Sequence, residues 1–162
     1  MSTPAPAAPA PTPTVAVAPV ARPTEFAFLR KWGSEGSGDG QMGHPYGVAL
    51  DREGNVYVVE YFNDRVQVFD AGGRFVRKWG SSGVGDGQFE APTAIAVDDS
   101  GNVYVTEWEN HRVQVFDADG RFLATWGSQG SGDGQFRNPQ SLALDGASNV
   151  YVADTANHRV QK

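Results

Sequence analysis

Three acid–arginine pairs are the first residues of this chain whose types and spacing suggest chemistry. They are Glu60 with Arg65, Glu107 with Arg112, and Asp154 with Arg159. A carboxylate beside a guanidinium can serve as a general acid or base, or it can form a bidentate ion pair that supports the fold. A single active site does not need three copies of the pair, so the repetition favours the structural role.

Aspartates and histidines raise the question of a metal site. Asp39, Asp86 and Asp133 lie in glycine-rich loops, but each loop offers one carboxylate and calcium needs several converging oxygens. His44, His111 and His158 are spread along the chain, and the inner strands that would line a channel read GVAL, AIAV and SLAL, without a ligand. A phosphate loop requires a lysine after its glycines and a helix after the loop, and neither follows GSGDGQ here. We therefore expect no metal and no cofactor.

All these residues belong to a repeat of 47 residues. Trp32, Trp79 and Trp126 begin three copies that align without gaps, and 19 of the 37 shared positions are identical. Alternating runs such as NVYVVE and RVQVFD have the period of two that is typical of strands, and they are separated by Gly, Asp and Asn turns. A repeat of this length with about four short strands predicts an all-β fold, a β-propeller of four-stranded blades.

The repeat predicts four strands in each copy, which we call a to d from the inside of the propeller outward. Strand a covers Gly47–Leu50, Ala94–Val97 and Ser141–Leu144; strand b covers Asn55–Glu60, Asn102–Glu107 and Asn149–Asp154; strand c covers Arg65–Phe69, Arg112–Phe116 and Arg159–Lys162; strand d covers Arg74–Trp79 and Arg121–Trp126. Residues 25–32 match strand d, but no first three strands precede them. They are predicted to be a spare outer strand.

Composition divides the chain near residue 25. Residues 1–24 are rich in Pro and Ala and nearly uncharged, which predicts a disordered linker that a protease should trim without unfolding the blades. Residues 25–162 are the predicted blades, with repeats at 32–78, 79–125 and 126–162. The chain has no cysteine, signal peptide or transmembrane segment that would indicate a compartment. If the linker follows a missing domain, we expect an extracytoplasmic or membrane-tethered protein.

The segments NHRVQ at 110–114 and 157–161, together with GSGDGQF and DxxGNVYV, resemble the NHL repeat. Asp64 replaces the histidine in the first copy. NHL repeats form six-bladed propellers as a rule, so this resemblance implies that the three blades here are half of a ring. Relatives in the wider group include zinc-binding lyases and RNA-binding ubiquitin ligases, whereas many NHL propellers serve as interaction modules.

Some positions vary although the surrounding repeat is constant, and these are the candidate binding residues. They lie in the b–c loop and just after the repeated proline: Tyr46, Tyr61, Phe62, Thr93, Trp108, Glu109 and Gln140. Aromatic groups on one rim of a propeller are typical of recognition surfaces. Ordinary packing between blades is the alternative.

We therefore expect a non-catalytic binding or scaffold module that recognises a protein, peptide or glycan. The alternatives are a propeller enzyme of the lyase or hydrolase type and an RNA-binding platform. A nucleic-acid partner is disfavoured, because the net charge of the chain is −6 and residues 1–24 contribute only Arg22. Ring closure is expected to need either self-association or further blades.

Overall fold

A computed structural model describes residues 27–162. The chain divides into two units, residues 1–30 and 31–162, and each is considered by itself. The predicted linker over residues 1–24 lies outside the described residues. Of the first unit, residues 27–30 are described; they form no strand, and Phe28 and Leu29 are exposed.

Eleven strands between residues 45 and 161 form three successive antiparallel sheets. The first blade contains β1 Pro45–Leu50, β2 Val56–Glu60, β3 Arg65–Phe69 and β4 Phe75–Trp79. The second contains β5 Pro92–Val97, β6 Val103–Glu107, β7 Arg112–Phe116 and β8 Phe122–Trp126. The third contains β9 Ser141–Leu144, β10 Val150–Asp154 and β11 Arg159–Gln161, with a 3₁₀ turn at Thr155–Asn157. Strand order follows chain order in each sheet, so every blade is a meander.

The strands lie where the repeat predicts them, and the inner strands of the first two blades start earlier than predicted. Pro45 pairs with Glu60 and Gly47 pairs with Val59, which leaves Tyr46 in a bulge. The bulge is repeated at Pro92 and Ala94 in the second blade. Because proline has no N–H to donate, it is tolerated at this first position of a strand.

Residues 27–32, the described part of the predicted spare outer strand, belong to no strand of this structure. The reason is visible in the first sheet. Its outermost position is already held by β4, which pairs with β3 through Val66–Trp79 and Gln67–Lys78.

The hydrophobic core lies between neighbouring blades. Tyr57, Val59, Val66 and Val68 of the first blade pack against Phe89, Ile95, Val103 and Val105 of the second. Val113 of the second blade packs in the same way with Phe136, Leu142 and Val152 of the third. The first two blades therefore each bury one face against the blade that follows. No helix among residues 27–162 has the length and apolar character needed to cross a membrane.

Candidate functional site

The acid of each acid–arginine pair is a buried hydrogen-bond acceptor with four donors. Glu60 is completely buried. Its Oε1 accepts from Arg65 Nε and Gln67 Nε2, both at 2.7 Å. Its Oε2 accepts from Asn63 Nδ2 at 2.6 Å and from the Gly43 backbone N–H at 2.7 Å. Both oxygens are thus occupied by fixed protein donors.

The arginine of the pair holds the glycine-rich loop. In the first blade, Arg65 Nη1 donates to the Ser37 carbonyl at 2.6 Å, and Nη2 donates to the carbonyls of Gly38 and Gln41 at 3.0 and 2.9 Å. Arg112 and Arg159 make the equivalent contacts in the second and third blades. The guanidinium satisfies loop carbonyls that would otherwise lack partners near the sheet, so the pair braces the loop.

The loop aspartates and the histidines do not converge. Asp39 forms an ion pair with Lys78 at 2.6 Å, and Asp86 and Asp133 are exposed. Within residues 27–162, no three side chains among His, Asp and Glu come together as a metal site would require.

The histidine of the repeat signature joins one blade to the next. Asp64, His111 and His158 all have a left-handed backbone, with φ of 48°, 52° and 55°. Asp64 Oδ1 accepts the backbone N–H of Ala91 at 2.9 Å, and His111 Nδ1 accepts that of Asn138 at 3.1 Å. Asp and His tolerate this conformation better than most residues and carry an acceptor, which explains their exchange at this position.

An aromatic cleft lies on the face where the b–c turns and the loops before the inner strands emerge. Its volume is about 190 Å³. It is lined by His44, Tyr46, Tyr61, Thr93, Trp108 and Gln140, so all three blades contribute. The two kinds of loop are tied together by backbone hydrogen bonds, from Tyr61 N to His44 O at 3.1 Å and from Trp108 N to Ala91 O at 3.0 Å.

The rings of the first blade form one cluster at the edge of this cleft. The Tyr46 and Tyr61 rings have centroids 5.7 Å apart, and their planes are inclined by 30°. The centroid of the His44 ring lies 4.8 Å from that of Phe62 and about 6 Å from that of each tyrosine. Tyr46 and Phe62 are both exposed. The cluster is an apolar surface with phenol groups, fixed by a bulge and a tight turn.

The other candidate residues are placed differently. Thr93 is 3% exposed; its hydroxyl donates to the Pro139 carbonyl at 3.1 Å, so it links two blades at the floor of the cleft. Gln140 is exposed at the rim, and Glu109 is exposed but does not line the cleft. His44 was not among the predicted binding residues, although its position directly before Pro45 and Tyr46 indicated that it lies on the same face.

Comparison with known proteins identifies the repeat. Residues 89–116 and 136–162 match the NHL repeat, as the sequence motifs predict. Over 44 residues, 27% of this chain, the protein lin-41 of Caenorhabditis elegans is 48% identical and the E3 ubiquitin-protein ligase TRIM71 of Rattus norvegicus is 46% identical. The chain spans only 4% and 5% of these two relatives.

Solved β-propeller structures share the fold. Virginiamycin B lyase from Staphylococcus aureus aligns with a TM-score of 0.56 and 11% identity, over 72% of this chain and 36% of that one. Hydrazine synthase of Kuenenia stuttgartiensis aligns with a TM-score of 0.54 and 14% identity, over 75% and 35% of the two chains. At these identities the likeness concerns the fold alone.

Proposed function

We propose that this chain of NHL-repeat propeller blades is a non-catalytic binding module whose ligand, a protein or peptide, contacts the aromatic cleft. The observation that carries the proposal is the convergence of Tyr46, Tyr61 and Trp108 from two blades on one shallow cleft. Aromatic side chains bury large areas at a low cost in conformational entropy, and they dominate the binding energy of protein interfaces. A glycan is the second ligand class that such rings would accept.

The environment of the acids supports a role in binding rather than catalysis. A general acid or base must reach the substrate with a proton or a free lone pair. Glu60 and Glu107 are completely buried, and each accepts hydrogen bonds on both oxygens from its own blade. The cleft itself is lined by neutral side chains and one histidine, His44.

The charge of the chain favours a protein ligand over RNA, the partner class that the resemblance to NHL ubiquitin ligases implies. The net charge of the chain is −6, which opposes the phosphate contacts that supply most nucleic-acid affinity. A gel-shift titration at low salt tests this alternative directly. Binding of a single-stranded RNA pool that weakens on replacement of Trp108 would favour RNA over a protein.

A displayed peptide library selected against the folded protein provides the probe for the proposed site. Peptides that bind are expected to lose about 1–3 kcal/mol of affinity on Trp108→Ala, and a similar amount on Tyr46→Ala, because both changes remove aromatic contact area. Leu123→Ala is the matched control, since Leu123 is an exposed apolar residue on the outer strand β8. Isothermal titration measures affinity, and thermal unfolding confirms that each variant is folded.

Two results would contradict the proposal. One is a set of selected peptides whose affinity is insensitive to both Tyr46→Ala and Trp108→Ala. The other is a large loss of thermal stability in Trp108→Ala, which would identify Trp108 as a residue that packs the blades together.

A further inference from the structure

The aromatic cleft has rings on two of its sides. His44, Tyr46 and Tyr61 form one side, and their ring centroids lie 5.7 to 6.0 Å apart in every pair. Trp108 lines the cleft from the second blade. Within residues 27–162, the Trp108 indole contacts no other aromatic ring. The cleft therefore separates the indole from the rings of the first blade, and a group that enters it meets aromatic surface on both sides.

The cleft has the size of one side-chain head. Its volume is about 190 Å³, whereas pockets that enclose a whole small-molecule ligand have roughly 300–1,000 Å³. Thr93 closes the floor, and its hydroxyl lies 3.1 Å from the Pro139 carbonyl oxygen and 3.2 Å from the Thr106 hydroxyl. A ligand therefore enters with one terminal group, and the rest of it lies on the loops outside.

The loops on the face of the cleft carry a large excess of negative charge. These loops are the b–c turns and the segments before the inner strands, at residues 61–64, 108–111, 155–158, 33–44, 80–91 and 127–138. Their charged residues are seven acids and one base: Glu35, Asp39, Asp64, Asp86, Glu90, Glu109, Asp133 and Arg137. A face with this imbalance attracts cations and repels anions. The group that enters the cleft is therefore expected to be positively charged.

The lining of the cleft favours one kind of cation. None of its lining residues is a carboxylate. A primary ammonium has three N–H donors and a guanidinium has five, and burying such donors without acceptors is unfavourable. A quaternary ammonium has no N–H donor, and its charge is stabilised by the negative faces of aromatic rings. The cleft therefore suits a fully methylated ammonium better than a lysine or arginine head.

We propose that the aromatic cleft binds the trimethylammonium group of a trimethylated lysine in the protein or peptide ligand. This inference rests on the proposed function, which supplies the ligand class, and it adds the chemical group that enters the cleft. Tyr46, Tyr61 and Trp108 contact the methyl groups, and His44 completes the ring wall of the first blade. The acidic loops attract the basic residues that flank the modified lysine.

Three pentapeptides that differ only in their central residue test the role of charge. The host Gly-Gly-X-Gly-Gly carries trimethyllysine, lysine, or the neutral isostere of trimethyllysine in which carbon replaces the nitrogen. We expect the trimethyllysine peptide to bind about tenfold more tightly than the other two, because only its cation has no N–H donor to leave unpaired. NMR titration measures weak affinities and reports whether the Trp108 indole signal shifts. Equal affinity of the neutral isostere would overturn the proposal, because the cleft would then bind apolar area alone.

Substitutions at Tyr46 separate the aromatic ring from its apolar bulk. Tyr46 is 49% exposed, so a change there leaves the packing between blades intact. Tyr46→Phe keeps the ring and should retain the affinity for the trimethyllysine peptide. Tyr46→Leu keeps apolar bulk without a ring face and should weaken binding about tenfold, and Leu123→Ala on β8 is the control that should bind as the wild type does. Unchanged affinity in Tyr46→Leu would contradict the proposal.

The outcomes distinguish this proposal from the proposed function. Library-selected peptides that depend on Tyr46 and Trp108, together with a trimethyllysine peptide that does not bind, would overturn the trimethyllysine and leave the peptide site unaffected. Phosphatidylcholine vesicles carry the same trimethylammonium group on a lipid. Flotation of the wild-type protein with these vesicles, lost in Tyr46→Leu, would overturn the peptide as the source of the group. Binding of the trimethyllysine peptide without flotation is the expected result.

Discussion

At the scale of single residues, the histidine that characterises the repeat has a conformational and a hydrogen-bonding role. It occupies a left-handed position at the end of the b–c turn and accepts an N–H from the next blade. Asp64 performs both tasks in the first blade. The position therefore selects for an acceptor that tolerates positive φ, and metal binding is not needed to explain it.

We predict that His111→Ala lowers the free energy of unfolding by about 1–2 kcal/mol, because it removes the hydrogen bond to Asn138 and favours other backbone conformations. His111→Asp should lower the free energy of unfolding much less, since Asp64 accepts the equivalent hydrogen bond in the first blade. Urea denaturation of the two variants measures the difference. Equal destabilisation by alanine and aspartate would show that the ring packing of His111 matters more than its acceptor.

At the scale of elements, the turn between strands c and d is adapted to the tryptophan of the preceding blade. A Cβ added to Gly120 would lie 2.6 Å from the Trp79 ring, and one added to Gly73 would lie 2.9 Å from the Trp32 ring. Both glycines have φ above +80°. The turn is thus constrained twice, by its backbone conformation and by the indole that crosses it.

Gly120→Ala should therefore destabilise the protein by about 2–4 kcal/mol, as backbone strain adds to overpacking against Trp79. Gly101→Ala provides the matched control. Gly101 has φ of +86° in the same kind of turn, and its added Cβ would meet only Ala118 at 3.5 Å. Gly101→Ala should lower the free energy of unfolding by about 1 kcal/mol, because the backbone strain is its only cost. Thermal or urea unfolding gives both values, and similar losses in the two variants would exclude the indole contact.

The repeat makes the strands predictable from the sequence. The contacts between residues that lie far apart in the chain are harder to predict. Alternation located every strand of the three sheets, and the NHL resemblance and all-β propeller fold are confirmed. The buried state of Glu60 and the link from Asp64 to Ala91 depend on residues 17 and 27 positions apart, which no local pattern reveals. The aromatic cleft was predicted only as a face, because its assembly from three blades depends on their relative rotation.

At the scale of the whole molecule, equivalent carboxyl groups in the three blades all have a lowered pKa. Asp51, Asp98 and Asp145 each accept hydrogen bonds from an asparagine and a tyrosine of the following strand. The Asn149 side chain and backbone hold the pKa of Asp145 at about 2. Burial raises the pKa of Asp51 and Asp98, but the hydrogen bonds from Asn55 and Asn102 outweigh it and leave both below the ordinary value.

Acid should therefore destabilise all three blades. A carboxyl whose pKa is lower in the folded state contributes stability above its unfolded pKa of about 4, and this is lost as pH falls through the folded value. We expect the free energy of unfolding to decline between about pH 4 and pH 2. Asp98→Asn should make this decline shallower. Urea titrations across this range provide the measurement, and an unchanged slope in Asp98→Asn would contradict the assignment.

The near-duplication of β4 by residues 28–32 also has a kinetic consequence. During folding, the open edge of β3 has two competing partners in the same chain, FVRKW and FLRKW. Pairing with β4 closes a turn of five residues, 70–74, while pairing with Phe28–Trp32 would close a loop of more than thirty, 33–64. Loop-closure entropy disfavours the longer loop by about 1.5 kcal/mol. This difference directs most molecules into the pairing of β3 with β4.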